Sequence, residues 1–270
     1  MSSDFRSIMT LDNVLKGIIL AGGKGLRLER NTTVTNKHLV RVGRYPMIEY
    51  PLATLRKMGI TDITIVTGTE HVGAITSYLT AAYPKIDFTY KVQKDAGGIA
   101  QALALAENVV QGNKMAVILG DNVFEDNFSS YAKQFIDGVS GSMFFVKAVP
   151  DPYRFGVAET SDGNIISIEE KPKNPKSNFA VTGLYFYDPT VFDKIKLLTP
   201  SARGEYEITD VNNMYVKERR TVCTSVNGFW SDAGTLESIT HCDEWLKISG
   251  FDPLISEISG GKNRLLRGKF

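Results

Sequence analysis

The sequence predicts an α/β fold: a mostly parallel mixed sheet with flanking helices and a smaller strand-rich lobe. Three observations predict it. Apolar, β-branched runs recur at 14–21, 62–68 and 115–122 without the period-2 alternation of a sheet that faces water. Amphipathic, helix-forming stretches separate them, so the strands are joined by crossovers. The second half changes to strand-like runs broken by turn residues.

Taken in order, "VLKGIILA" (14–21) reads as a buried strand and "GGKGLRLERNTTVTNKHLV" as a long loop. "MIEYPLATLRKMG" (47–59) reads as an amphipathic helix ended by Gly59. "DITIVTG" (62–68) is a second central strand. "EHVGAITSYLTAAY" follows as a helix and "KIDFTYKVQ" as a strand. "GIAQALALAENVV" (98–110) combines strong helix formers with an apolar face and reads as one helix. "MAVILGDN" (115–122) is the third central strand. Beyond it, "SMFFVKAVP", "FGVAETSDGNIISIEE" and "FAVTGLYFYD" are strand-like, with Asp162-Gly163 as a hairpin turn. "GEYEITDVNNMYVKERR" returns to a helix, and the tail from Leu236 is helical until Gly250. No repeat or low-complexity linker divides the chain. The strand-rich part is expected to form one continuous structure with the α/β part, lying over it, which makes a cleft at the C-terminal ends of the parallel strands.

Composition narrows the function. The chain has 270 residues, 43% hydrophobic and 23% charged, with a formal net charge of +1, so bulk attraction to nucleic acid or an anionic membrane is not expected. Cys223 and Cys242 are the only cysteines, which fits a reducing compartment. The start "MSSDFRSIMT" lacks the apolar core of a signal peptide, and no apolar run approaches the ~20 residues that span a bilayer. A cytoplasmic protein without nucleic-acid or membrane partners is the expectation.

"KGIILAGGKGLRLERN" (Lys16–Asn31) drives a strand into three glycines, a lysine and two arginines. Gly22, Gly23 and Gly25 could turn backbone amides toward phosphate oxygens, or could simply make a tight turn. The spacing is neither a lysine-terminated phosphate loop nor a dinucleotide fingerprint. Arg27 and Lys37 could converge on a polyphosphate from the same loop. Asp121 ends an apolar strand where ligands gather in a doubly wound sheet, and Asp232 lies in "WSDAGT"; each alone also reads as a cap or turn residue. His38, His71 and His241 do not stand at metal-ligand spacing. In "VQKDAGGIAQAL" the paired glycines permit close approach of a flat base, and Gln93 can donate and accept on its edge; a tight helix entry needs the same glycines.

"GIILAGGKGLRL", Lys37, Pro46-Met47, "LGDN", "EEKPKNPKSNFAVTGLYFYD", "PSARGEYEITDVNNMY" and "WSDAGT" occur in one order. This set resembles the sugar-1-phosphate nucleotidylyltransferases, the glucose-1-phosphate thymidylyltransferases in particular, from about Lys16 to about Ser238. The resemblance implies a Rossmann-like, nucleotide-diphospho-sugar transferase fold in a single domain over 1–270. A nucleotide-binding part over approximately 14–140 and a sugar-phosphate-binding part over approximately 141–235 pack together, with a helical tail at 236–270. It implies transfer of a nucleotidyl group from a nucleoside triphosphate, dTTP, to α-D-glucose 1-phosphate, giving a sugar nucleotide and pyrophosphate. It also implies a homo-oligomer and one Mg²⁺ held by Asp121 and Asp232.

Carried over residue by residue, Leu20, Gly22, Gly23, Gly25, Gln93, Gly98 and Asp121 are the nucleotide contacts. Arg27 faces the departing pyrophosphate and Lys37 the triphosphate. Lys171 and Arg203 hold the sugar phosphate, while Gly156, Glu170 and the Val181 backbone hold the sugar. Arg27, Lys37, Asp121, Lys171 and Asp232 form the catalytic set. Phe155 and His38 stand where the family's pattern has tyrosine and glutamine, which removes a hydroxyl beside the sugar site. A uridylyl-, cytidylyl- or guanylyltransferase for another sugar phosphate is the alternative within the class, since thymine and uracil differ by a methyl worth ~0.8 kcal/mol when buried. A non-catalytic sugar-nucleotide-binding protein is the alternative outside it.

Overall fold

The computed structural model describes residues 15–23, 28, 35–161 and 164–254. Gly25, Arg27 and the Asp162-Gly163 turn lie outside the described residues. The chain begins in β1 (Leu15–Ala21), passes a 3-10 turn at Lys37–Leu39, and makes the small ladder of β2 (Arg41–Val42) and β3 (Tyr45–Pro46). Helix α1 (Glu49–Lys57) follows; Met58 caps it and Gly59, at φ 79°, turns the chain toward β4 (Ile63–Gly68). Then come α2 (Val72–Ala82) and β5 (Thr89–Gln93). The expected helix over 98–110 is two pieces, α3 (Ile99–Ala104) and α4 (Glu107–Val110). Hydrogen bonds from Leu105 N to Ala102 O and from Ala106 N to Leu103 O tighten the turn between them, so Leu103, Ala106 and Val110 all reach one apolar cluster.

β6 (Lys114–Leu119) ends at Gly120-Asp121, and β7 (Asn122–Phe124) leads to α5 (Ser129–Asp137). The strand-rich half contributes β8 (Ser142–Ala148), β9 (Gly156–Ser161), β10 (Asn164–Glu170) and β11 (Phe179–Tyr187). α6 (Val191–Lys196), α7 (Ile208–Lys217), β12 (Thr221–Ser225), β13 (Trp230–Asp232) and α8 (Leu236–Ser249) complete the described chain. The sequence periodicity does not mark α5, α6, β12 or β13. Helix α8 starts directly after the Asp232 strand on a reciprocal Thr235–Ser238 capping box and stops at Gly250, φ 64°.

Nine strands form one sheet, in the order β10-β9-β11-β6-β1-β4-β5, with β8 paired to β11 and β12 paired to β8. β1 pairs in parallel with both β4 and β6, and β4 with β5. β11 runs antiparallel to β6 through Leu184–Tyr187 and to β9 and β8. The two halves do form one continuous structure, but the second does not lie over the first: β11 is hydrogen-bonded edge to edge into the same sheet. In β1, Leu15, Ile19 and Ala21 face a cluster with Leu52 and Leu55 of α1, whereas Ile18 and Leu20 face one with Ala100 and Leu103 of α3. Both faces are buried, which is why the central strands lack polar alternation. No helix among the described residues is long and apolar enough to cross a membrane.

One glycine joins the two halves at the cleft. Gly98 has φ 99°, and a Cβ there would lie 2.6 Å from Tyr206 O and 2.9 Å from Tyr206 N. Tyr206 N donates to Gly97 O at 2.8 Å, so this close approach docks the segment before α7 onto the start of α3. Gly98→Ala should destabilise the protein by about 1–3 kcal/mol, the usual magnitude for a side chain forced into such backbone. A melting temperature equal to wild type would show that the approach relaxes freely.

Beneath the cleft, His38 is buried, with Nδ1 2.9 Å from Asn36 Oδ1, which also accepts the His38 N–H at 2.9 Å. Burial and the Lys37 charge lower its pKa to about 3, against the opposing pull of Asp121. The folded value lies below the ordinary 6.5, so only the unfolded chain takes up a proton between the two. This contribution is complete above pH 6.5 and is lost as pH falls toward about 3. Its slope is at most about 1.4 kcal/mol per pH unit. His38→Gln should flatten stability against pH between 7 and 5 in urea unfolding; parallel wild-type and variant curves would remove His38 from the linkage.

Candidate active site

The sheet's topology decides where chemistry can occur. β1 and β6 are parallel, so their C-terminal ends open on the same side, and β11 brings the strand-rich half alongside. A cavity of about 360 Å³ lies there. On its first-half side it is lined by Leu20, Gly22, Gly23, Lys37, Gln93, Gly98 and Asp121, and on the other by Gly156, Glu170, Lys171, Val181 and Asp232. Twelve residues named from sequence thus surround one space. Gly25 and Arg27 lie outside the described residues, and Arg203 is not in the lining.

Neither Gly22 nor Gly23 has a left-handed φ, so these two do not make the alternating turn of an anion nest. Gly22 serves a different need: a Cβ there would lie 2.6 Å from Gln93 Oε1. Gln93 Nε2 donates to Gln101 Oε1 at 2.8 Å and to Gly98 O at 3.2 Å. The carboxamide is fixed against the glycine turn, with α3 behind it.

Asp121 stands in the turn just before β7, and Asp232 ends the neighbouring strand β13. β7 and β13 are antiparallel with Asn122 opposite Asp232, and Ala233 N donates to Asp121 O at 2.7 Å. Asn122, which no sequence pattern singles out as a site residue, is the organiser. Its Nδ2 donates to Asp121 Oδ1 at 2.9 Å; its Oδ1 accepts from Gly183 N at 2.9 Å and Trp230 Nε1 at 2.8 Å. Gly183 is available because β11 bulges there: Val181 pairs with Val146 but Tyr185 with Phe144, four steps on β11 against two on β8.

Each carboxylate has a cation. Lys37 Nζ donates to Asp121 Oδ2 at 2.6 Å, and Arg154 donates to Asp232 Oδ1 at 3.1 Å. Burial pushes the Asp121 carboxyl up, but the Lys37 charge and hydrogen bond, with help from Asn122, outweigh it and bring the pKa down to about 2. Asp121 is therefore ionised at neutral pH. Among the described residues no group of three or more His, Cys, Asp or Glu could hold a metal ion. Two carboxylates facing a phosphate-sized cleft nevertheless suit Mg²⁺, which keeps waters and takes its remaining oxygens from substrate phosphates.

On the strand-rich side, Glu170 accepts from Thr209 Oγ1 at 2.6 Å and from Arg203 at 3.3 Å. Arg203 is also held by Glu207 at 2.8 Å and Glu205 at 3.4 Å. Here its charge is shared among three carboxylates, one of which, Glu170, lines the cavity. Lys171 faces the cavity with its backbone at φ 44°, a left-handed conformation uncommon for lysine, and its N–H donates to Phe155 O at 2.9 Å. Phe155 packs on Trp230 with ring centroids 5.3 Å apart, closing the wall beside Asp232.

Comparison with known proteins gives a consistent family. Curated relatives named glucose-1-phosphate thymidylyltransferase include one from Neisseria gonorrhoeae, 43% identical over 230 residues, covering 83% of this chain and 80% of the relative. Another, from Mycolicibacterium smegmatis, is 38% identical over 237 residues, covering 86% and 82%. A crystal structure from Bacillus anthracis in complex with sucrose, provisionally named a glucose-1-phosphate thymidylyltransferase, superposes with TM-score 0.83 at 50% identity. That match covers 88% of this chain and 97% of the other. A UDP-glucose pyrophosphorylase complexed with UDP-glucose shares the fold at TM-score 0.78 and 22% identity, over 87% of this chain and 99% of the other. The family described as Nucleotidyl transferase matches residues 16–247, and the chain belongs to that family.

Proposed function

We propose that the protein transfers a nucleotidyl group from dTTP to α-D-glucose 1-phosphate, releasing pyrophosphate, with Mg²⁺ on Asp121 and Asp232. The carrying observation is the single cavity in which both aspartates stand between the glycine turn with Gln93 and the Glu170–Lys171 corner. The names of relatives at 38–43% identity support the choice of substrates. The part over 14–140 serves the nucleotide and the part over 141–235 the sugar phosphate.

A sugar-phosphate oxygen attacks the α-phosphorus, and the bond to the β-phosphate oxygen breaks as pyrophosphate leaves. The nucleophile is largely ionised at neutral pH, its second pKa being about 6, so no general base is required. Catalysis is alignment and neutralisation of charge. Magnesium, when bound, offsets the repulsion between the two phosphates. Leu20, Gly22, Gly23, Gly25, Gln93 and Gly98 hold the nucleotide, with Lys37 and Arg27 on its phosphates. Lys171 meets the sugar phosphate, while Gly156, Glu170 and Val181 orient the sugar. Arg203 joins Lys171 at the sugar phosphate and also holds Glu170 in place. The working form is a homo-oligomer; light scattering should find a species larger than the monomer at micromolar protein, and a monomer throughout would reject this part.

Pyrophosphate release should be measured for dTTP, UTP, CTP and GTP, each against a set of sugar 1-phosphates. The dTTP–glucose 1-phosphate pair should give the highest kcat/KM; preference for another pair reassigns the substrates, and no release with any pair rejects the enzyme reading. Asp121→Asn and Asp232→Asn should each lower kcat at least ~100-fold, the scale of losing one preorganised electrostatic contact. Near-normal turnover in a folded variant removes that residue from the metal role.

A further inference from the structure

Arg154 does not occur in the motif set that led to the cleft, yet it reaches the centre of it. It ends a 3-10 turn, Pro152–Arg154, just before β9, on the strand-rich side. Asp232 comes from β13, the partner strand of β7. The guanidinium spans the two: NH1 donates to Asp151 at 2.8 Å, and NH2 donates to Asp232 Oδ1 at 3.1 Å and Oδ2 at 3.3 Å. Its plane lies over Phe155, 5.1 Å from the ring centroid, and Phe155 packs on Trp230. An exposed ion pair would be an ordinary surface feature. This one is not exposed: Asp232 has 17% of its side-chain surface accessible and Arg154 30%, and both line the cavity.

The pairing sets a competition. Asp232 and Asp121 carry two negative charges, and Arg154 and Lys37 cancel them at hydrogen-bond distance. With Asp151 also on Arg154, the set carries one negative charge in excess, but a divalent cation approaching it finds both cavity carboxylates already engaged by cations. Phosphates change the balance in two ways: they bring anionic oxygens to the cation, and they offer the guanidinium a bidentate partner in place of Asp232. Asp151 keeps hold of NH1 meanwhile, so the arginine can turn without leaving the cleft.

Resting on the two-aspartate reading of the metal site, we propose that Arg154 is a positioning residue that competes with the divalent cation for Asp232. The cation consequently binds well only together with substrate phosphates. Arg154 acts as the electrostatic stop that couples metal entry to nucleotide entry.

The test is Mn²⁺ binding to the nucleotide-free protein, followed by electron paramagnetic resonance, in wild type and in the R154Q, R154M and R154K variants, each with an unchanged melting curve. R154Q and R154M remove the charge and should bind Mn²⁺ about 3- to 10-fold tighter, a fraction of the full effect of a unit charge at this distance. R154K keeps the charge and should stay near wild type. D232N in the R154Q background should lose the gain. Mn²⁺ affinity unchanged or weaker in both R154Q and R154M, with D232N weakening binding, overturns the competition and leaves the metal site standing. Mn²⁺ affinity indifferent to D232N instead overturns the metal site, and the proposal with it.

Discussion

The cleft depends on one carboxamide. Asn122 is almost wholly buried and uses its oxygen twice and its nitrogen once, on three separate elements. A buried amide in hydrocarbon would be costly, so the three partners must be present together. Asp121 is held from one side, the indole that precedes Asp232 from another, and the β11 bulge from a third. An aspartate at this position would place a charge against Asp121, and an apolar residue would leave a buried indole N–H and a backbone N–H without acceptors.

A second layer of order is electrostatic. Charges around the cavity are paired locally rather than massed. Lys37 meets Asp121, Arg154 meets Asp232, and Arg203 meets Glu170, Glu205 and Glu207. This fits a chain with a net charge of +1 whose substrates are strongly anionic. A cleft of unpaired cations would hold any polyphosphate; one of paired cations yields them only to groups that present oxygens at the right places.

The α/β architecture was legible because buried parallel strands leave long apolar runs, and β1, β4 and β6 do so. The antiparallel entry of β11 was not, since a strand buried on both faces reads alike in either direction. Short elements such as β13 and α6 carry too few residues for periodicity to register. At the site, the motif-borne residues collect around one cavity, but Asn122, Arg154 and Thr209 had passed unnoticed. Their partners lie far along the chain: Trp230 is 108 residues from Asn122, Asp232 is 78 from Arg154, and Glu170 is 39 from Thr209. No local pattern encodes such pairs. Arg203, which the motif "SARGE" marks, also meets Glu205 and Glu207, two and four residues on, in pairs that the motif does not announce.

The place of β6 in the sheet bears on how the molecule is made. Its one edge is covered by β1, which precedes it on the chain, but its other edge waits for β11, some sixty residues later. During synthesis the first half can therefore collapse into a parallel sheet whose newest strand is open, apolar and able to pair with a neighbouring nascent chain. Only when Phe179–Tyr187 has emerged is that edge closed, and only after Trp230–Asp232 does the second carboxylate reach its place. The cleft is complete only when both halves have been made, so chains stopped before Asp232 would burden chaperones rather than act as partial catalysts.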